Sequence, residues 1–299
     1  MKCRFCGEHL NRLFIDLKNS PPSNSFLSKE MLNYPEVYYP LKVLACDNCF
    51  LVQVDEHKNA REIFDNQYVY FSSFSKSWLK HAQNYCEMMI DRFKLGKDSY
   101  VAEVASNDGY LLQYFLENGI PVLGIEPTAN TASVAIDKGI ETVIDYFGVE
   151  LAQNLAKTKK ADLIVGNNVL AHVPDINDFV RGLKVFLEEG GTITMEFPHL
   201  YQLVKYNQFD TIYHEHFSYL SLGTVKQIFA KHDLEIFDVQ ELATHGGSLR
   251  IFAKHIGDLS KPIEDSVNEI LSKELSAGMS NSDYYSQFQG VADKIKTEV

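Results

Sequence analysis

Between Tyr100 and Phe197 the chain alternates short β-rich runs (101–105, 122–126, 141–146, 162–167 and 192–197) with stretches of helical periodicity (110–118, 129–138, 150–157 and 176–188). Few folds accept that rhythm. Strands joined through a helix lie parallel, because only a crossover can return the chain to the starting edge of a sheet. The pattern predicts an α/β fold, a parallel sheet with helices on both faces. The rhythm breaks at 235–242 and 248–255, which are joined by a short loop holding Gly246 and Gly247. No crossover helix fits there, so these two runs form an antiparallel terminal hairpin.

The flanks differ in character. Trp78, Ala82, Tyr85, Met89 and Phe93 recur at steps of three and four and predict an amphipathic helix over 75–93. Cys86 falls within that stripe and reads as core. Residues 1–62 look irregular, with Pro21, Pro22, Pro35 and Pro40 among short apolar runs. They also hold two Cys-x-x-Cys pairs, Cys3/Cys6 and Cys46/Cys49. Four thiolates from two such knuckles make a closed tetrahedral site, so the expectation is structural zinc stapling a small domain with a thin core. Beyond Lys261 the sequence reads as polar helices. The expected organisation is a zinc-binding domain at 1–62, the sheet domain at 63–258, and a helical linker at 259–299 toward a missing C-terminal domain.

A net charge of −12 over 299 residues argues against a nucleic-acid surface, which needs clustered cations. No apolar run approaches the ~20 residues of a membrane span, and the first residues lack a signal-peptide core, so cytoplasmic residence is expected. Oligomeric state is not legible.

In an open sheet of this type, ligands bind at the carboxyl ends of the strands near the point where strand order reverses. The first β-rich run leads into Glu103-Val104-Ala105-Ser106-Asn107-Asp108-Gly109. Only Gly109 supplies a glycine, so the G-x-G-x-x-G fingerprint is absent and NAD or FAD is disfavoured. The second run ends at Glu126, a place where an acidic residue commonly accepts ribose hydroxyls. A ribose acceptor without a pyrophosphate cradle suits S-adenosylmethionine, with Glu103 or Asp108 receiving its amino group. The plainer reading, in which Asn107 and Asp108 only cap a helix, leaves Glu126 unexplained. Asn167, Asn168 and His172 follow the fourth run and border the same edge.

The densest chemistry lies in Asp210-Thr211-Ile212-Tyr213-His214-Glu215-His216. His titrates near ~6.5 and Glu near ~4.3, so the segment can supply a base and an acid near neutral pH. A zinc-protease motif needs histidines at i and i+4, whereas these stand at i and i+2. In an extended strand Tyr213 and His216 would face opposite ways, so convergence of Tyr213, Glu215 and His216 requires irregular backbone through 213–216. His214 reads as structural. His199 and His245 stand where they could approach a ligand, and Arg250 reads equally as an ion-pair partner or a phosphate contact.

Several motifs occur in order along nearly the whole chain: the two cysteine knuckles, Tyr70 followed by Ser72-Ser73, Glu103 to Gly109, Asn168 to Pro174, Glu196-x-Pro198-His199, Asp210 to His216, and His245 to Arg250. In this the chain resembles the S-adenosylmethionine-dependent sugar C-methyltransferases, which act on nucleotide-linked deoxy-keto-sugars. The resemblance implies a class I methyltransferase fold with a Rossmann-like sheet, preceded by a zinc-binding domain built on Cys3, Cys6, Cys46 and Cys49. It implies a cofactor site formed by Glu103, Ser106, Asn107, Asp108, Gly109, Glu126, Asn167 and Asn168. It also places His216 as the base, with Tyr213, Glu215, His172 and Tyr70 around the sugar. The expected reaction is methylation at C3 of a nucleotide-linked (dTDP) 4-keto-deoxysugar through an enolate. O- or N-methylation of a small molecule and a non-catalytic binding module are the alternatives.

Overall fold

The computed structural model describes residues 1–64 and 68–298. The chain opens with β1 (Arg12–Ser20), β2 (Tyr39–Ala45) and β3 (Val52–Val54), followed by a single helical turn α1 (Ala60–Ile63). Helix α2 (Lys76–Phe93) starts where Ser75 accepts the Trp78 amide and buries Trp78, Ala82, Tyr85, Cys86 and Met89. The central repeat follows as β4 (Val101–Val104), α3 (Leu112–Glu117), β5 (Val122–Ile125), α4 (Ala129–Asp137), β6 (Thr142–Val143) and α5 (Val149–Ala156). It continues through β7 (Ala161–Asn167), α6 (Ile176–Phe186) and β8 (Leu187–Pro198). Then come α7 (Leu200–Tyr206), β9 (Ser218–Tyr219), α8 (Leu222–Lys231), the hairpin β10 (Leu234–Leu242) and β11 (Ser248–His255), and α9 (Asp265–Ser276), α10 (Ser282–Ser286) and α11 (Phe288–Glu298).

The main sheet has the order β10-β11-β8-β7-β4-β5-β6. From β8 to β6 every pairing is parallel, and β11 runs antiparallel to both β8 and β10. This is the predicted parallel sheet with an antiparallel terminal hairpin. Its strands are apolar on both faces because both are covered. Ala102, Leu123 and Ile164 pack into one cluster, while their neighbours Val101, Val122 and Leu163 pack into another on the opposite face. Strand order reverses between β4 and β7, which opens a crevice at their carboxyl ends.

The N-terminal region is more ordered than its sequence suggested. Strands β1, β2 and β3 form an antiparallel sheet, extended by β9 from far along the chain. Pro21, Pro22 and Pro35 lie in the excursion between β1 and β2, and Pro40 precedes the stretch of β2 that pairs with β3. The prolines therefore break no central ladder. Beneath this sheet Phe14, Ile15, Val43, Val52, Leu203 and Phe217 share a core with Met279, Tyr285 and Phe288 from the C-terminal residues. The helices after Lys261 thus pack back on the body: Phe288 stacks on Phe14 at 4.8 Å and Tyr285 on Phe50 at 5.6 Å. Among the described residues no helix is long and apolar enough to cross a membrane.

Candidate active site

The two knuckles are tight turns that close on each other. Gly7 N donates to Cys3 O at 2.9 Å and Phe50 N to Cys46 O at 3.0 Å. The sulfurs of Cys3 and Cys49 stand 3.6 Å apart and those of Cys6 and Cys46 3.5 Å, and all four lie within 4.8 Å of one another. Disulfide sulfurs would lie at about 2.05 Å. A tetrahedral zinc with bonds of about 2.3 Å asks for sulfurs roughly 3.8 Å apart, so the donor set fits the metal. Gln53 Nε2 also donates to Cys3 Sγ at 3.3 Å, the outer support such a ligand needs.

A cavity of about 1090 Å³ opens at the carboxyl edge of β4, β5 and β7. That size is ample for two small ligands. On its cofactor side stand Asn107, Glu126, Asn167 and Asn168. The loop after β4 takes positive φ at Ala105 (57°), Asn107 (49°) and Gly109 (74°), although only one of the three is glycine. Left-handed backbone costs a non-glycine residue roughly 1–2 kcal/mol, and it is tolerated here in the turn that faces the cavity. A side chain on Gly109 would strike Ile140 at 2.4 Å. Glu126 accepts from Asn107 N at 2.8 Å and Thr128 N at 2.9 Å, which orients its carboxylate at the rim.

Glu103, Ser106, Asp108 and Gly109 do not line the cavity. Asp108 accepts from Ser73 N at 3.2 Å, and Asn107 Oδ1 accepts from Ser72 N at 2.9 Å while its Nδ2 donates to Tyr70 O at 3.0 Å. The loop thereby pins the strap that carries Tyr70. Burial pushes Glu103 well above the ordinary carboxyl range, against the pull of the Tyr110 hydroxyl. Neither Glu103 oxygen nor either end of the Asn167 amide has a hydrogen-bond partner of normal geometry. Buried polar groups seldom stay unpaired, and Asn167 lines the cavity, so the edge between β4 and β7 fits the charged amino-acid arm of S-adenosylmethionine.

The same cavity is lined by Tyr70, His172, Tyr213, Glu215 and His216. Residues 213–216 form a turn, closed by His216 N donating to Tyr213 O at 3.1 Å, so the irregular backbone expected here is present. The turn brings Tyr213 and His216 to one side. His216 Nδ1 donates to Thr211 O at 2.9 Å, which leaves Nε2 as the acceptor for the Tyr213 hydroxyl at 2.8 Å. The His172 ring lies 4.7 Å from that of His216. Burial, reinforced by His172, holds His216 well below the ordinary imidazole range, and burial takes His172 to about 4. Burial also keeps the Tyr213 hydroxyl protonated by raising its pKa. Glu215 Oε1 accepts from Asn24 Nδ2 at 2.8 Å and Ser23 Oγ at 3.1 Å.

Other sequence candidates fall outside the cavity. His214 donates through Nε2 to Pro40 O at 3.2 Å. His199 pairs with Glu274 at 2.7 Å and is 1% exposed. Arg250 is a structural ion-pair partner: it meets Glu196 at 2.9 Å and lies over the Tyr85 ring. His245 does reach the cavity, from a left-handed position in the hairpin turn. Sequence reading passed over Ser23, Asn24, Phe64, Tyr68, Trp78 and Tyr146, all of them on the cavity wall. Tyr68 alone had a usable signal, its place two residues before Tyr70.

Known proteins resemble this chain along its whole length. Residues 78–239 match a methyltransferase domain family, 3–64 a zinc binding domain family, and 243–299 a C-methyltransferase C-terminal domain family. The chain is 31% identical to the C-methyltransferase NovU of Streptomyces niveus over 299 residues, covering 100% of this chain and 71% of that protein. Among solved structures, an S-adenosylmethionine-dependent methyltransferase of Clostridium acetobutylicum ATCC 824 overlays with a TM-score of 0.48 at 13% identity, covering 60% of this chain and 92% of that one. Magnesium protoporphyrin IX methyltransferase of Synechocystis PCC 6803 overlays at 0.47 and 14% identity, covering 58% and 82%. A four-cysteine zinc site ahead of a methyltransferase sheet, together with similarity to NovU along the entire sequence, places this chain in the family of S-adenosylmethionine-dependent C-methyltransferases.

Proposed function

We propose that the chain methylates C3 of a nucleotide-linked 4-keto-deoxysugar, with His216 as the ultimate base. The observation that carries this reading is the run from the Tyr213 hydroxyl through His216 to the Thr211 carbonyl, in the cavity that Asn107, Glu126 and Asn167 also line. O- or N-methylation can proceed without a carbon base. A carbon nucleophile needs an α proton removed and the enolate oxygen stabilised, which calls for a neutral base beside neutral donors. S-adenosylmethionine supplies the electrophilic methyl group. Glu126, Asn107, Asn167 and Asn168 would hold it, with Glu103 behind them.

His216 is neutral because it is buried, and its protonated Nδ1 is fixed on Thr211, so Nε2 is the atom that gains the proton. The Tyr213 hydroxyl occupies Nε2 in this structure, so the proton leaving carbon passes through it, Tyr213 handing its own proton to the imidazole. Tyr70 remains to bind the keto oxygen.

Hydrogen exchange tests the reading. With S-adenosylhomocysteine and a dTDP-4-keto-6-deoxysugar in D₂O, deuterium should enter C3, and His216→Ala should slow this by roughly 10²–10⁴-fold. Tyr213→Phe leaves Nε2 bare: a loss as large as that of His216→Ala supports the phenol relay, and a small one means direct abstraction. A metal-loaded protein that exchanges nothing from any such sugar sinks the proposal.

A further inference from the structure

The turn that carries Tyr213 and His216 belongs in sequence to the methyltransferase region, yet it is held from its far side by the N-terminal sheet. Strand β9 pairs with β3 through Val52 and Tyr219, Val54 N donates to Phe217 O at 3.2 Å, and His214 donates to Pro40 O. Within that scaffold one contact reaches the cavity. Ser23 and Asn24, in the excursion between the cysteine pairs, both bond the same oxygen of Glu215 and themselves line the cavity. Glu215 is 3% exposed, and among the described residues its side-chain hydrogen bonds go to Oε1 and none to Oε2. Asn24 adopts φ of 60°, a conformation asparagine accepts more readily than most residues.

We propose that Asn24 and Ser23 are positioning residues for Glu215: they lock its carboxylate through Oε1 so that Oε2 is presented to a hydroxyl of the bound sugar. This rests on the reading above in that it takes Glu215 to touch substrate. A carboxylate buried without donors takes up a proton and loses its fixed acceptor geometry. Burial raises Glu215, and Asn24 and Ser23 oppose that rise, with a smaller contribution from the positive charge of Lys58. Tyr68 and Tyr213 are the other titratable groups that sense its charge. The zinc-bearing domain thereby contributes side chains to the substrate site as well as a scaffold.

The test uses the full-length, zinc-loaded protein with Asn24→Ala, Ser23→Ala and the near-isosteric Asn24→Asp. Glutamate-¹³C NMR, with the Glu215 signal assigned through Glu215→Gln, needs no substrate. Its titration midpoint should move to higher pH in Asn24→Ala, and further in Asn24→Asp, while S-adenosylhomocysteine binding stays at the wild-type level. In the exchange assay Asn24→Ala should lower kcat/KM by roughly tenfold, mostly through KM, the size of one hydrogen bond to a charged group. An unmoved midpoint in both Asn24 variants overturns the proposal, as does an unchanged KM in a protein that exchanges. Should the wild type exchange no sugar, the substrate reading fails alone, and the NMR titration still decides whether Asn24 governs Glu215.

Discussion

His216 has both ring nitrogens committed, one to Thr211 and one to Tyr213, and its pH behaviour follows from that. Its pKa is depressed, so the neutral, proton-accepting form persists to lower pH than for a free imidazole. The acid limb of kcat/KM for C3 exchange should therefore fall below pH ~6.5, the unperturbed histidine value, and a rate–pH profile reads it directly. A limb at or above that value would assign the essential base to another group. At this scale the sequence exposed the cluster of proton-handling residues, and the family resemblance, not their chemistry, set His216 apart as base. His214 and His216 differ by two positions and by no chemistry. The turn at 213–216 alone aims one at a backbone carbonyl outside the cavity and the other into it. Arg250 had been open between an ion pair and a phosphate contact, and its burial against Glu196 resolved that toward an ion pair.

At the scale of elements, strands and helices were readable wherever the hydrophobic period was regular. Helix α2 and the hairpin of β10 and β11 lie within a residue of expectation, because a long apolar stripe or a two-glycine loop admits little else. The strand expected over 141–146 shrinks to Thr142–Val143 at the sheet edge, where only one neighbour, β5, pairs with it. Strand β9 was invisible: two residues carry no period, and only the partner strand β3 defines them. Helix α8 shows a related dependence on distant sequence. Its first amides, Leu222 N and Gly223 N, donate to the Glu274 carboxylate of α9 at 2.6 and 2.9 Å, and the same carboxylate meets His199. Glu274→Ala should lower unfolding stability by about 2–4 kcal/mol, since it removes a cap and leaves buried donors unpaired. Denaturant titration measures this, and a loss below 0.5 kcal/mol would show the bonds to be dispensable.

The whole molecule joins two sheets beside one large cavity, the site of the proposed chemistry. Asn177 Nδ2 donates to Arg4 O and Phe5 O, and Thr224 Oγ1 to Cys49 O, so the knuckles rest directly on α6 and α8. Because β3 follows the second knuckle and pairs with β9, metal loss should disturb the turn at 213–216 before it disturbs the main sheet. Cys46→Ser with Cys49→Ser should remove about one zinc per chain and cost most of the methyl transfer, while S-adenosylhomocysteine binding survives. Calorimetric binding beside metal analysis checks this, and equal loss of both functions would refute the separation. The sequence by itself determined the parallel sheet, its antiparallel hairpin, the cysteine pairs and the families of side chains that handle protons, because periodicity, spacing and residue chemistry are local properties. Only the tertiary structure decided that Ser23 and Asn24 meet Glu215 and that the zinc-bearing sheet supports the turn at 213–216. Those are contacts between segments up to 192 positions apart, and no local pattern encodes them.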